Sequence, residues 1–176
     1  MKIALYLGLF NPFHNGHLEC IKTALNDFKM DKVVIVPKMK NEWEDEVLDI
    51  IKRCQIIFQS CFEIWDNYEM STIERYLTPP YYSYATLHAL KNKYCNDEVF
   101  VLVGSDTIKD IPNWMHGGKI IEDYDFLIVD RPRTSISSSY IREMLRTRNK
   151  MDAYYSDEKL AQYVSPKVIE LLKEYY

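Results

Sequence analysis

Short, nearly continuous apolar runs alternate along this chain with segments of helical spacing, and this alternation constrains the fold more than any other feature of the sequence. β-Branched and aromatic residues gather at Ile3–Leu7, Lys32–Val36, Cys61–Trp65, Val99–Val103 and Phe126–Val129. Runs this short and this uniformly apolar predict strands covered on both faces. Between them, Leu18, Ile21, Leu25 and Phe28 recur at i, i+3, i+7 and i+10, as do Val47, Ile50, Cys54 and Ile57. Leu87, Leu90 and Tyr94 mark a third helical segment, and Pro166 followed by Val168, Leu171, Leu172 and Tyr175 predicts a last helix with proline in its first turn. Strand and helix in alternation imply an α/β fold, a parallel sheet closed by right-handed crossovers.

A chain of 176 residues with 47% hydrophobic content can bury one sizeable core. The expectation is a single domain over 1–176, its C-terminal helical part at about 137–176, without internal repeats. The net charge of −4 provides no global basic field for nucleic acid or an anionic membrane, so any anionic ligand must be held by a local site. Cys20, Cys54, Cys61 and Cys95 form no C-x-x-C pair and read as reduced thiols. The apolar start at Met1–Phe10 lacks a small-x-small cleavage site, and no run approaches the roughly 20 residues of a bilayer span. A soluble, cytoplasmic protein is expected. Asn41–Glu46 reads as a solvated acidic loop, Arg146–Asp157 as a mobile connection, and the tyrosines Tyr154, Tyr155, Tyr163, Tyr175 and Tyr176 as serving either an interface or the core. Glycine is scarce: five occur where average usage gives roughly 12.

Two of those glycines sit in the string Gly8-Leu9-Phe10-Asn11-Pro12-Phe13-His14-Asn15-Gly16-His17, between the first strand and first helix. Gly8 lets a ligand approach the backbone at the strand end, and Asn11-Pro12 fixes a turn. Gly16 leaves the first N–H groups of the helix unshielded, a ready anion site. His14 and His17, three residues apart, share one side of a helical turn. Two imidazoles over a helix N-terminus suit a polyphosphate. After the fifth strand come Arg131-Pro132-Arg133 and Ile136-Ser137-Ser138-Ser139-Tyr140-Ile141-Arg142, where the serines are either a helix N-cap or phosphate donors. Arg142, one turn beyond the hydroxyls, can clamp a phosphate bidentately.

In a parallel sheet all strand C-termini share one edge, and ligands settle where strand order reverses. With the order 3-2-1-4-5, the glycine-histidine turn, Gly104-Ser105-Asp106 and the serine string lie on adjacent strands. Asp106 is then placed either to accept hydrogen bonds from ribose hydroxyls or to cap a helix.

The string G-x-F-N-P-x-H-x-G-H resembles the signature of the H-x-G-H nucleotidyltransferase superfamily, and I-S-S-S-Y-I-R resembles its I-S-S-T-x-I-R element, with Ser139 for threonine. Tyr82-Ser83-Tyr84-Ala85-Thr86-Leu87 and Gly104-Ser105-Asp106 followed by Trp114 resemble the Y-T-x-x-T-L and G-x-D…W elements of nicotinate mononucleotide adenylyltransferases. The resemblance implies a Rossmann-like, doubly wound sheet of about five strands with helices on both faces. It implies catalytic roles for His14, His17 and Arg142, and ATP contacts from Gly8, Phe10, Asn11, Gly16, Gly104, Asp106, Arg131, Ile136, Ser138 and Ser139. Tyr82, Ser83, Trp114 and Met115 would surround the mononucleotide, Trp114 as a ring platform or else as a core residue. The implied reaction joins ATP, carried with Mg²⁺, to nicotinate or nicotinamide mononucleotide in NAD biosynthesis, with no protein metal ligand. The chain departs from the family's P-P-H-K loop, having Lys38-Met39-Lys40-Asn41-Glu42 instead. A pantetheine-phosphate adenylyltransferase, with a T-x-G-H turn, or a cytidylyltransferase would not explain Trp114 and the Y-S-x-x-T-L element. A non-catalytic adenine-nucleotide sensor would not need His14, His17 and Arg142 together.

Overall fold

In a computed structural model, which describes residues 1–130, 137–147 and 153–176, the strands pair in parallel in the order β3-β2-β1-β4-β5. These strands are β1 (Lys2–Gly8), β2 (Lys32–Pro37), β3 (Tyr68–Met70), β4 (Glu98–Gly104) and β5 (Asp125–Val129). Side-chain alternation divides the core into two layers. Ala4 and Tyr6 of β1, with Val33 and Ile35 of β2, face helices α1 (Asn15–Asn26), α2 (Ile50–Ser60), α5 (Ser138–Thr147) and α7 (Ile169–Tyr175). Ile3 and Leu5, with Val34 and Val36, face α3 (Ser83–Lys93) and α4 (Gly117–Asp123). Apolar residues on both faces are the physical content of the continuous runs in the sequence. No helix among the described residues is long and apolar enough to cross a membrane.

The third strand is not where the apolar pattern puts it. Cys61–Trp65 begins while the chain is still helical, the Cys61 N–H donating to the Ile57 carbonyl, and continues as a 3₁₀ segment over Phe62–Asn67. Cys61 and Ile64 join the core from that segment, and the edge strand is the half-buried Tyr68–Met70, paired with Val33–Ile35. A short apolar run does not by periodicity alone distinguish a strand from the end of a helix. Part of the expected connection at Arg146–Asp157 is helical: α5 reaches Thr147 and α6 spans Ala153–Ala161. The last helical segment starts as a 3₁₀ turn at Pro166–Val168 before α7. Tyr163, Tyr175 and Tyr176 pack against the first core layer, whereas the side chains of Tyr154 and Tyr155 lie outside the described residues. All four cysteines are free, and burial pushes the Cys61 thiol up to about 12.

Gly117 answers to packing. A Cβ there would lie 2.0 Å from the Ile111 carbonyl oxygen, whereas at Gly118 it would meet nothing within 4 Å. Gly117→Ala is therefore expected to destabilise the chain by about 1–3 kcal/mol in a urea titration. Gly118→Ala should leave it unchanged or raise it by up to about 1 kcal/mol.

Candidate active site

A cavity of about 640 Å³ opens at the C-terminal edge of β1 and β4. Gly8, Phe10, Asn11, His17, Gly104, Ser138, Ser139, Arg142, Ser83 and Trp114 all contribute to its wall. Motifs separated by more than a hundred residues of sequence thus meet, because each follows or faces a strand end on one edge of a parallel sheet.

The glycine-histidine turn is shaped by its own aromatic rings. Phe10 takes a left-handed backbone with φ 49° and is buried, its ring folded back over Gly8. A Cβ on Gly8 would come within 2.8 Å of that ring, and one on Gly16 within 3.1 Å of the His14 ring. At both glycines a Cβ would crowd a ring of the turn itself, a further reason for glycine beside the ligand approach and unshielded amides expected of them. The Asn11–Pro12 peptide bond is cis.

His14 and His17 stack at 3.7 Å between ring centroids, as their spacing predicts. Only His17 reaches the cavity; His14 is 3% exposed and lies behind it. The His14 N–H donates to Nδ1 of His17 at 3.2 Å. An accepting Nδ1 places the proton of the neutral imidazole on Nε2, making that atom a donor. In the first turn of α1, the Asn15 N–H donates to the Tyr163 carbonyl and those of His17 and Leu18 to the His14 carbonyl. Of the first N–H groups of the helix, those of Asn15, His17 and Leu18 are thus already engaged within the protein.

Helix α5 is tied directly onto this turn. Arg142 Nη1 donates to the Asn11 carbonyl at 2.6 Å, and the Ser138 hydroxyl donates to the Pro12 carbonyl at 2.9 Å. Arg142 Nη2 donates to Ser139 Oγ at 3.4 Å. Ser137, whose Oγ accepts the Tyr140 N–H, is the capping serine. The N-cap reading of the serine cluster thus falls to Ser137, while Ser138 and Ser139 line the cavity. Arg131 and Ile136 lie outside the described residues.

On the β4 side, Gly104 and Thr107 line the cavity, while Asp106 between them is exposed in a turn and begins no helix, so it is not a helix N-cap. Trp114 packs against the second core layer, as the core reading expects, and also lines the cavity. Ser83 lines the wall at the start of α3, with Tyr82 just outside at the N-cap position. Met115 is exposed and away from the cavity.

Several residues that sequence reasoning passed over hold the walls in place. Arg53 is 1% exposed, donating from Nε to the Leu48 carbonyl at 2.8 Å and from Nη1 to the Leu9 carbonyl at 2.6 Å. Burial lowers its pKa. It stood in plain sight as a charge three residues after Ile50 on the buried face of α2. The acidic loop is no simple solvated face either: Lys38, Glu44 and Asp45 line the cavity, Asn41 is buried, and Glu46 pairs with Arg146.

A cytidylyltransferase-like family model matches residues 5–144. The chain is similar to the nicotinate-nucleotide adenylyltransferase of Bacillus subtilis (strain 168), 25% identical over 181 residues that cover 93% of this chain and 95% of that protein. It is 27% identical over 132 residues, 74% of its length, to a probable nicotinate-nucleotide adenylyltransferase of Methylacidiphilum infernorum (isolate V4), and spans 64% of that protein. Among solved structures, the Plasmodium falciparum nicotinic acid mononucleotide adenylyltransferase complexed with NaAD superposes with a TM-score of 0.77 at 19% identity, covering 99% of this chain and 95% of that one.

Removing the buried donors of Arg53 strands the Leu9 and Leu48 carbonyls. Arg53→Met should therefore lower stability by about 1.5–3 kcal/mol in chemical denaturation, despite an apolar side chain of comparable reach. An unchanged midpoint would contradict the anchoring role.

Proposed function

The chain belongs to the cytidylyltransferase-like family, and on that footing we propose that it is an adenylyltransferase joining ATP to nicotinate or nicotinamide mononucleotide, a step of NAD biosynthesis. The observation that carries this reading is the union of two phosphate-type motifs at one cavity, Arg142 bound to the Asn11 carbonyl with His17 beside them. The curated relatives carry nicotinate-nucleotide adenylyl transfer in their names, and Trp114 and Ser83 stand in the wall where the acceptor would sit.

In this reaction an oxygen of the mononucleotide 5′-phosphate forms a bond to the α-phosphorus of ATP. The bond from that phosphorus to the β-phosphate bridging oxygen breaks, and pyrophosphate leaves with the electron pair. Positioning and charge stabilisation supply the catalysis, with no protein nucleophile. His17, donating from Nε2, and Arg142 hold the phosphates; His14 keeps the His17 ring in place, and Ser138 and Ser139 assist at the triphosphate tail. Gly8, Phe10, Asn11 and Gly16 shape the turn under the nucleotide, and Gly104 and Asp106 flank the ribose. Tyr82, Ser83 and Trp114 form the acceptor side, the indole offering its face to a flat, electron-poor pyridine ring. Mg²⁺ enters as part of the ATP substrate, held by phosphate oxygens and water, and offsets the charge of the triphosphate.

With ATP and Mg²⁺ the protein should release pyrophosphate in the presence of a pyridine mononucleotide, and kcat/KM for the two mononucleotides identifies the preferred one. His17→Ala should lower turnover by about 100- to 1000-fold. Near-full turnover in that variant, or activity only with phosphopantetheine or CTP, would overturn the reading.

A further inference from the structure

The segment in which the chain departs from the P-P-H-K loop is fastened to the opposite wall by two buried groups that do not themselves line the cavity. Asn41, 6% exposed, accepts the Tyr81 N–H on Oδ1 at 2.8 Å, and its own N–H donates to Glu44 Oε2 at 2.7 Å. Glu74, 0% exposed, accepts the Met39 N–H on Oε2 and the Thr86 hydroxyl on Oε1, each at 2.5 Å. Trp43 lies nearly parallel to Tyr82, with centroids 6.4 Å apart.

Each partner is one to three residues from a wall residue. Met39 follows Lys38, Asn41 holds Glu44, Tyr81 precedes Ser83 by two, and Thr86 precedes Leu87; Lys38, Glu44, Ser83 and Leu87 all line the cavity. The two bridges therefore tie the segment after β2 to the first turn of α3. The phosphate-binding groups proposed for ATP sit across β1, on α1 and α5, fixed by bonds to the turn after β1 that involve neither Asn41 nor Glu74; Asn11 of that turn meets the segment only at its far end, at Glu46 and Leu48.

We infer that Asn41 and Glu74 are positioning residues for the acceptor: a buried clasp that sets the mononucleotide half of the cavity without touching either substrate. The inference rests on the adenylyl-transfer reading and deepens it. A buried carboxylate and a buried amide are costly to place in a core unless their acceptors are used, and here both act on backbone N–H groups of the wall. Loss of the Asn41 acceptor frees the Tyr81 end of the wall and leaves the bonds of His17 and Arg142 intact.

Steady-state kinetics for both substrates, with ATP binding followed by calorimetry, test the clasp in Asn41→Ala, Asn41→Asp and Glu74→Gln. Asn41→Ala should raise the KM for the mononucleotide about tenfold, the equivalent of one lost hydrogen bond. The KM and Kd for ATP should stay within about twofold of wild type. Asn41→Asp keeps the acceptor and should recover most of the loss. Glu74→Gln keeps one acceptor of two and should shift the mononucleotide KM in the same direction as Asn41→Ala. Equal shifts for both substrates, no shift, unfolding of Asn41→Ala, or an Asn41→Asp variant no better than Asn41→Ala would each overturn the inference. A wild-type protein inactive with both pyridine mononucleotides contradicts the adenylyl-transfer reading instead.

Discussion

Asn11 is the knot of the structure. Its Oδ1 accepts the Leu48 N–H at 3.1 Å and the Tyr176 hydroxyl at 2.6 Å, its Nδ2 donates to the Glu46 carbonyl, and its own carbonyl accepts from Arg142. One buried residue thus joins the turn after β1 to the acidic segment, the C-terminal helix and α5. An amide with both lone pairs of its oxygen engaged has one allowed orientation, which fixes the backbone carbonyl that Arg142 needs. Burial raises the pKa of Tyr176, so its hydroxyl stays protonated as a donor in that network at neutral pH.

That knot matters because the proposed chemistry has no covalent step for the protein to perform. Its contribution is the placement of donors, and placement depends on the groups behind them. Arg53 holds the Leu9 carbonyl from below, His14 backs the His17 ring, and Ser138 secures the Pro12 carbonyl. The acceptor side is held by further bonds from Asn41 and Glu74. Two braced sides of one cavity, joined through Asn11, suit a reaction in which two phosphate-bearing substrates must be aligned in line.

The parts of the fold legible in the sequence were those where side-chain pattern and burial coincide. Strands β1, β2, β4 and β5 each open on a charged residue, Lys2, Lys32, Glu98 or Asp125, and carry no charge after it, so the run of uncharged residues locates them. Strand β3 is a half-buried edge of mixed character, Tyr-Glu-Met, with no such signature. At the site, the glycine-histidine turn and the serine-arginine helix were legible as one locus because both fall at strand ends that a parallel sheet brings to one edge. Their glycines were legible but the packing reason for them was not: what a Cβ would strike at Gly8, Gly16 or Gly117 is a ring or a carbonyl brought there by folding.

Sequence alone determined the α/β class and which motifs would gather at one edge, since parallel topology sends every strand end to one side whatever the loops do. It did not determine which donors face the cavity. The tertiary structure put His17 in the wall and His14 behind it, gave capping to Ser137 and the cavity to Ser138 and Ser139, and set Arg53, Glu74 and Asn41 to hold the walls. These roles rest on hydrogen bonds between residues distant in sequence. A buried polar side chain takes its meaning from the partner that folding supplies, and no local pattern encodes that partner.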